Sequence, residues 1–390
     1  MNADLTALCR RLLDRVLADS TDEGDAPYFE PSHSFTDTAR HVSEREQFFV
    51  NTPQVVGFAG EVEKPNSYKA VTVMEKPLLI CRNASGELRA FINACRHRGA
   101  QIAEGTGCAK SLSCPFHGWT YDLDGTLKGR RRESAFASDS ESRLHTRLVE
   151  LPVSDRAGLL TVGLTPAMSQ HTVDEFLSDI ETALQNFDFA SMNSIDTRRF
   201  EVKANWKLVV GLSNEGYHFE NLHRDSLAPM MTSNGVVDYY GKHTRWAFSL
   251  KSIRDLEKLS ETDWPADFPG AINHTLFPGT VIVAVPGAAQ MIRAEPGQFP
   301  GTSTVYYSGV FAGSDDSATN EQLRKSITES FDFGERIFVD EDLRAATQCQ
   351  AGIAAGGLPG VAAGRNEPLI AYWHQLWNDK LQQQTSDLTD

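Results

Sequence analysis

Cys95-Arg96-His97-Arg98-Gly99 and Cys114-Pro115-Phe116-His117-Gly118-Trp119 are the two stretches from which the fold can be inferred. Each places a cysteine close to a histidine, with one residue between them in the first stretch and two in the second. Thiolate and imidazole groups both bind transition metals, and two such pairs complete a set of four ligands. The sequence therefore predicts a metal centre held between two loops.

Two kinds of metal centre accept these donors. Two cysteines and two histidines are the ligands of a Rieske [2Fe–2S] cluster, in which a histidine pair replaces a cysteine pair on one iron. A tetrahedral zinc site accepts the same atoms, but zinc ribbons usually have at least two residues inside each ligand pair. The single residue between Cys95 and His97 is unusual for zinc. The spacing favours the cluster, with zinc as the alternative.

The composition is that of a globular protein with room for two domains. The chain has 390 residues, 41% of them hydrophobic, and a net charge of −15 that argues against nucleic-acid binding. The longest apolar run, around residues 281–285, is too short to cross a bilayer. Six cysteines are too few for a disulfide scaffold, and the N-terminus lacks the pattern of a signal peptide. We therefore expect a cytoplasmic protein with no membrane partner.

The sequence pattern changes twice along the chain. An amphipathic helix is predicted near the N-terminus from Leu5, Leu8, Leu12 and Val16, which recur at helical spacing. Short β-rich runs with turn residues follow up to about residue 160, and both cysteine–histidine motifs lie between them. Beyond that point the sequence predicts helices at 173–187, 205–223 and 321–350, and strands at 280–285 and 304–310. The expected fold class is α+β, with a small all-β domain before a larger domain.

A second candidate metal site lies in the predicted helix 205–223. It contains His218 and His223, and five residues along a regular helix turn the second side chain away from the face of the first. Both can reach one ion only where the helix is distorted or ends. Because a cluster that transfers electrons needs an acceptor, this pair becomes a candidate for a second metal.

At this point the chain resembles the Rieske non-heme iron oxygenases, specifically their large α subunit, over essentially its whole length. The resemblance is carried by the residues that flank the cluster motifs, by Asn205-Trp206-Lys207, and by Tyr217-His218 followed five residues later by His223. It implies a Rieske domain at 41–160 and a catalytic domain of helix-grip (START-like) type, with antiparallel sheet and helices, at 161–390. It also implies that an N-terminal helical segment at 1–40 packs on the catalytic domain.

The resemblance implies the ligands of both metals. It assigns the [2Fe–2S] cluster to Cys95, His97, Cys114 and His117. His218 and His223, with one later carboxylate, would bind a mononuclear iron(II) and leave positions open for dioxygen. Three consecutive acids offer that carboxylate, and the family pattern of Glu-Asp before Gln-x-Gly points to Asp342, with Asp340 and Glu341 still possible.

Glu215 takes the position at which this family holds an acid between two metal centres. That acid joins the iron-bound histidine to a cluster histidine of the neighbouring subunit, and a carboxylate bonded to both imidazoles would fix their orientation. An ordinary helix-surface glutamate is the alternative. The family's usual acid and amide are absent at positions 211 and 212, so we expect a differently shaped iron pocket near Leu212, Asn214 and Phe219.

The activity that the resemblance implies is that of a terminal oxygenase, which uses O2 and electrons from NAD(P)H to hydroxylate or oxidatively demethylate a small organic substrate. No nucleotide-binding fingerprint is present, so a separate reductase, with or without a ferredoxin, must supply the cluster with electrons. Glutamate at position 215 favours the choline- and carnitine-monooxygenase-like branch over aromatic-ring cis-dihydroxylating dioxygenases. A Rieske-type electron carrier is the alternative from another class, but it leaves residues 161–390 unexplained. The family usually assembles as a homotrimer.

One basic run stands out in this acidic chain. Lys128, Arg130, Arg131 and Arg132 follow the second cluster motif closely. The run is either a solvated loop or subunit contact, which we favour, or a docking patch for an acidic redox partner.

Overall fold

The chain divides into two units in a computed structural model that describes residues 1–136, 146–313 and 318–387. The larger unit contains Met1–Phe48, Asp179–Phe187 and Ile195–Asp390, and the smaller unit contains Phe49–Ser178 and Asp188–Ser194. The smaller unit is built mainly from strands, whereas the larger unit combines one broad sheet with helices. The predicted α+β fold class is confirmed.

The described residues form twenty strands and nine α-helices. The strands are β1 (Tyr28–Pro31), β2 (Gln54–Phe58), β3 (Ser67–Val73), β4 (Lys76–Arg82), β5 (Leu88–Ile92), β6 (Thr106–Cys108), β7 (Ser111–Ser113), β8 (Thr120–Asp122), β9 (Leu127–Gly129), β10 (Glu150–Leu151), β11 (Val153–Ser154), β12 (Leu159–Val162), β13 (Met192–Val202), β14 (Met231–Tyr240), β15 (His243–Leu250), β16 (Gly270–Leu276), β17 (Thr280–Val285), β18 (Ala288–Pro296), β19 (Ser303–Ala312) and β20 (Gly360–Ala363). The helices are α1 (Ala3–Leu17), α2 (Thr38–Glu44), α3 (Gln170–Asp174), α4 (Glu181–Leu184), α5 (Trp206–Gly211), α6 (Phe219–Leu222), α7 (Ala318–Ile337), α8 (Arg344–Ala354) and α9 (Pro368–Asp387).

Three small sheets build the smaller unit, with strand orders β10-β5-β4-β3-β6, β11-β12-β2 and β7-β8-β9. The two cysteine–histidine motifs lie in loops that follow β5 and β7. Cys95 and Cys114 belong to one hydrophobic cluster with Leu79 and Phe91 of the five-stranded sheet and Tyr121 of β8. The loops are therefore anchored on the core of this unit.

A seven-stranded antiparallel sheet, β13-β19-β18-β17-β16-β15-β14, forms the centre of the larger unit. Strands predicted at 280–285 and 304–310 correspond to β17 and to the middle of β19. The apolar stripe of the predicted N-terminal helix is the buried face of α1, and it packs on Val236, Ala247 and Ile272 of this sheet. This packing explains why the apolar residues of α1 recur at helical spacing.

On the sheet, β16 also holds the segment between α5 and α6. Asn273 donates its side-chain amide to the Ser213 carbonyl at 2.9 Å, and the Thr275 hydroxyl donates to the side-chain carbonyl of Asn214 at 2.8 Å. Gly216 lets the same segment approach β14, because a Cβ there would lie 2.8 Å from the Ser233 carbonyl oxygen. The segment that carries Glu215 is therefore fixed to the sheet at several points.

Two helix predictions were wrong in extent. The 205–223 segment forms two short helices, α5 and α6, because the Asn214 side chain donates to the Val210 carbonyl at 2.7 Å and ends α5. The 173–187 segment forms α3, a run of turns and α4, and the Ser178 hydroxyl donates back to the Glu175 carbonyl there. Both segments contain helical turns where helices were predicted, but side-chain bonds to the backbone accompany the interruptions.

The third helix prediction, at 321–350, is confirmed with one irregularity. Between α7 and α8 the backbone forms a π-helical turn at Phe338–Leu343, which contains the three candidate acids. A π-helical turn inside an α-helix often occurs at a functional site. Among the described residues, no helix is both long enough and apolar enough to span a bilayer.

Candidate metal centres

The two cysteine–histidine loops close in the same way. The Cys95 amide donates to the Ala100 carbonyl at 2.8 Å, and the Gly99 amide donates to the Cys95 carbonyl at 2.8 Å. The second loop repeats both bonds, at 2.8 and 3.0 Å, through Cys114, Trp119 and Gly118. Both glycines have left-handed backbone angles, φ +80° and +71°, which side-chain-bearing residues rarely adopt. The glycine four residues after each cysteine is thus part of the loop geometry.

These loops bring the four predicted cluster residues together. Cys95 and Cys114 are each 3% exposed and belong to the same apolar cluster. The Nδ1 atoms of His97 and His117 face one another at 3.2 Å. Two buried sulfurs and two converging imidazole nitrogens match the donor chemistry of a Rieske cluster.

Tyr121 is the close polar neighbour of the Cys95 sulfur. Its hydroxyl oxygen accepts a bond from the Arg96 amide at 3.1 Å and lies 3.4 Å from Cys95 Sγ. Because the oxygen accepts from the amide, its proton can point at the sulfur. Burial raises the pKa of the Cys95 thiol, and the Tyr121 hydroxyl opposes that rise. A bound cation would favour the thiolate form of this buried group.

The second candidate centre lies at the two ends of α6. His218 precedes this single helical turn and His223 follows it. Because neither histidine lies within the regular helix, both rings can face one point. Their Nε2 atoms are 3.2 Å apart, and Asp342 Oδ1 lies 3.7 Å from the first and 3.3 Å from the second. Two imidazoles and one carboxylate fit the facial triad of a non-heme iron(II) site.

The three candidate acids of the π-helical turn have different surroundings. Asp342 is 8% exposed, and its carboxylate lies beside both Nε2 atoms. Glu341 contacts the opposite edge of the His223 ring, where its Oε2 accepts from Nδ1 at 2.8 Å and from the Ser226 hydroxyl at 2.9 Å. Asp340 is exposed to solvent. Of the three, Asp342 has the geometry of a ligand.

Each histidine of the triad thus has a carboxylate on its Nδ1 atom. Glu215 Oε1 accepts from His218 Nδ1, and its Oε2 accepts the His218 amide at 3.1 Å. Glu215 and His218 both precede α6, which corrects the prediction that they would share a helix. Burial lowers the pKa of His223, but Asp342 and Glu341 outweigh it and leave that pKa raised. A carboxylate on Nδ1 leaves Nε2 free for a metal ion.

The three predicted pocket residues occupy different places. Phe219 lies edge-on to both histidines, with ring centres at 5.0 and 5.4 Å. Asn214 is buried, and its side chain is bonded to the Val210 carbonyl and to Thr275. Leu212 is half-buried in the same connecting segment. Phe219 is the member of this set that lies against the histidine pair.

Sequence reasoning missed Tyr121 and the role of Glu341. Tyr121 lies in β8, seven residues after Cys114, and no local pattern connects its hydroxyl with the Cys95 sulfur. Glu341 was considered only as an alternative ligand, although its place beside Asp342 in the chain could have suggested a partner for one of the histidines. A buried ion pair was also missed: Nζ of Lys207, a residue of α5, lies 2.6 Å from both carboxylate oxygens of Glu44 in α2.

Comparison with known proteins gives two family matches. Residues 52–141 match the Rieske [2Fe-2S] domain, and residues 189–383 match the ring hydroxylating alpha subunit (catalytic domain). The carnitine monooxygenase oxygenase subunit of Acinetobacter baumannii is 26% identical over 373 residues, which cover 90% of this chain and 94% of that protein. The glycine betaine monooxygenase oxygenase subunit of Chromohalobacter salexigens is 27% identical over 239 residues, which cover 61% and 49%.

Solved structures with the same fold include the quaternary ammonium Rieske monooxygenase CntA in complex with L-carnitine. Its TM-score is 0.74 at 22% identity, with 91% of this chain and 96% of that chain covered. Naphthalene 1,2-dioxygenase from Rhodococcus sp., bound to indole, has a TM-score of 0.66 at 20% identity, with 96% and 98% covered. The catalytic-domain match alone spans half of the chain. The chain therefore belongs to the family of Rieske-type ring-hydroxylating oxygenase α subunits, and it is an oxygenase whose cofactors are a Rieske [2Fe–2S] cluster and a non-heme iron.

Proposed function

We propose that this oxygenase hydroxylates or oxidatively demethylates a small quaternary ammonium compound. The observation that carries the proposal is the convergence of His218 Nε2, His223 Nε2 and Asp342 Oδ1 on one point. When bound, the cluster supplies one-electron transfer and the iron supplies dioxygen activation. We assign the iron to these three residues and the cluster to Cys95, His97, Cys114 and His117.

Two carboxylates, one for each triad histidine, hold the imidazole protons at the Nδ1 atoms. Glu341 holds the proton of His223 at Nδ1, and the Ser226 hydroxyl orients Glu341 in turn. Glu215 holds the proton of His218 in the same way. Its side chain is 11% exposed, and we propose that it also bonds to a cluster histidine of a neighbouring subunit in a homotrimer. That bond would orient both rings and give electrons a short path.

A quaternary ammonium substrate is supported by the relatives and by an aromatic group that includes Phe219, which lies against both triad histidines. The relatives with the matches reported above act on carnitine and glycine betaine. Phe219 packs against Trp246 and Phe248 with ring centres 5.9 and 5.3 Å apart, and these two rings stack on each other at 4.4 Å. Aromatic faces bind quaternary ammonium ions through cation–π attraction. We propose that this trio contacts the cationic end of the substrate.

We propose that the electrons come from a separate protein partner. The partner is an NAD(P)H-dependent reductase, acting directly or through a ferredoxin, that docks near the cluster loops. We place the enzyme in the cytoplasm, because thiolate-ligated clusters suit a reducing compartment.

Reconstitution with a surrogate reductase tests the proposed substrate class. We would measure NADH-dependent oxygen uptake with carnitine, glycine betaine, choline and naphthalene, and identify products by mass spectrometry. We expect uptake coupled to a hydroxylated or demethylated product from at least one cation. A cis-dihydrodiol from naphthalene, with no product from the cations, would overturn the assignment.

A variant pair tests the role of the aromatic trio. Trp246→Leu should raise KM for the cation at least about tenfold, because a cation–π contact that is shielded from water contributes about 2 kcal/mol. Phe299→Leu is the matched control, since Phe299 is 61% exposed in a surface turn. Equal KM values in the two variants would refute the proposed contact.

A further inference from the structure

The basic run after the second cluster motif is not uniformly on the surface. The Lys128 side chain is 60% exposed, and Arg131 and Arg132 are exposed as well. The Arg130 side chain, by contrast, is only 5% exposed. One cation of the run is therefore withdrawn from solvent, which neither a docking patch nor a solvated loop explains.

Aromatic rings surround the Arg130 guanidinium. Its central carbon lies 5.0 Å from the ring centre of Trp119 and 4.3 Å from that of Phe136. The two rings meet edge to face at 5.4 Å. Trp119 is 5% exposed and stacks on His97, with ring planes 3° apart and centres at 5.0 Å. The guanidinium, the indole and the His97 imidazole thus form one continuous packed group.

This packing places a fixed positive charge close to the cluster residues. The two steps, from guanidinium to indole and from indole to imidazole, are 5.0 Å each, so the charge lies within about 10 Å of the His97 ring. At an effective dielectric constant of about 20, a unit charge at ~10 Å changes a one-electron equilibrium by roughly tenfold. The effect is large enough to measure.

Glu133 reduces that charge without cancelling it. Its carboxylate contacts Arg130 through Nε at 3.1 Å and Nη2 at 3.0 Å. The Glu133 side chain is 64% exposed, so water screens its charge much more than the buried guanidinium. We therefore expect the guanidinium, rather than the carboxylate, to dominate the electrostatic effect of this ion pair on the His97 side.

We propose that Arg130 is a positioning residue that raises the reduction potential of the cluster through the Trp119–His97 stack. Reduction adds one electron from an external donor to the cluster and breaks no bond. A nearby cation stabilises the added negative charge, so it favours the reduced form. The inference rests on the cluster ligands assigned under the proposed function.

A redox titration of the purified holoenzyme tests this role. Dithionite and mediator dyes would reduce the cluster, and its visible absorption and the EPR signal of the reduced form would give the potential. Arg130→Gln should lower the equilibrium constant for reduction about tenfold, and a tenfold change is 59 mV for one electron. Glu133→Gln should shift the potential upward, because it removes the opposing charge.

Two further variants separate charge from packing. Arg130→Lys keeps the charge and loses the planar group, so its potential should remain within about twofold in equilibrium constant of the native value. Lys128→Gln is the surface control and should leave the potential unchanged. A potential in Arg130→Lys as low as that of Arg130→Gln, or an unchanged potential in Arg130→Gln and Glu133→Gln, would overturn the proposal. Native protein without a Rieske spectrum would instead refute the cluster assignment itself.

Discussion

The two proposed metal centres of this chain are built on different principles. The cluster residues come from two short loops, each closed by bonds between a cysteine and the residues four and five positions later. The iron triad combines the two ends of α6 with a π-helical turn more than a hundred residues further along the chain. A site closed by local bonds can be recognised from a motif, whereas a site joined by tertiary packing has to be assembled by the fold.

The surroundings of the two centres also differ in electrical character. Cys95 faces the Tyr121 hydroxyl, and Arg130 packs close to His97, so the cluster residues have a proton donor and a cation as neighbours. The iron histidines have carboxylates on their Nδ1 atoms. Donors and cations stabilise an added electron, while carboxylates stabilise a divalent cation and its histidine ligands. This contrast predicts which variants change the potential and which change iron binding.

The largest effect is expected at the triad carboxylate. Asp342→Ala removes the proposed ligand that reaches from the π-helical turn to the histidines of α6, so turnover should fall by more than about 100-fold, because even outer partners of a metal site cost about 10- to 100-fold. Metal analysis should show one iron lost per chain, with the visible spectrum of the cluster intact. Asp340→Asn is the matched control, since Asp340 is exposed on the same turn. Iron retained in Asp342→Ala would mean that another acid is the ligand.

The second-largest effect is expected at Glu215, the proposed link between the two metal centres. Glu215→Gln keeps the size of the side chain and removes its charge, so both metals should remain bound while turnover falls by roughly 100-fold. Stopped-flow spectroscopy should show that a pre-reduced cluster is reoxidised slowly. Glu220→Gln is the control, because Glu220 is an exposed residue of α6 that bonds to Ser233. Native turnover in Glu215→Gln would refute the bridging role.

The sequence defined the candidate cluster residues more completely than the candidate iron ligands, and the reason is physical. The first motif contains two of the proposed cluster ligands and a glycine that helps to close the loop, and all three lie within five consecutive residues. At the iron site the sequence supplied the histidines but left three acids open, because a π-helical turn changes which side chain faces α6. The break between α5 and α6 depends on the bonds that the Asn214 side chain makes with the Val210 carbonyl and with Thr275 of β16. The spacing of apolar residues along the sequence does not reveal such bonds.

A smaller effect is expected at Glu341, and it should differ in kind from the effect at Glu215. Glu341→Gln weakens the bond that orients His223, so we expect iron affinity to fall about tenfold. The reduction potential of the cluster should not change, since Glu341 bonds to His223 and Ser226 at the proposed iron site. Chelator competition measures the affinity. Glu335→Gln is the control, because Glu335 lies on α7 and pairs with Arg198 instead of a triad histidine. Loss of cluster reoxidation with native iron affinity would assign Glu341 to electron transfer instead.

The smallest effect is expected at the cluster thiolate. Tyr121→Phe removes the hydroxyl that lies 3.4 Å from Cys95 Sγ and leaves the ring in the apolar cluster. A hydrogen bond of this kind contributes about 1 kcal/mol, so the equilibrium constant for reduction should fall several-fold. The same redox titration measures it, with Tyr68→Phe as the control, because Tyr68 packs against the same cluster of residues from β3. If Tyr121→Phe leaves the potential unchanged while Arg130→Gln lowers it, a buried cation rather than hydrogen bonding distinguishes the cluster surroundings from those of the iron.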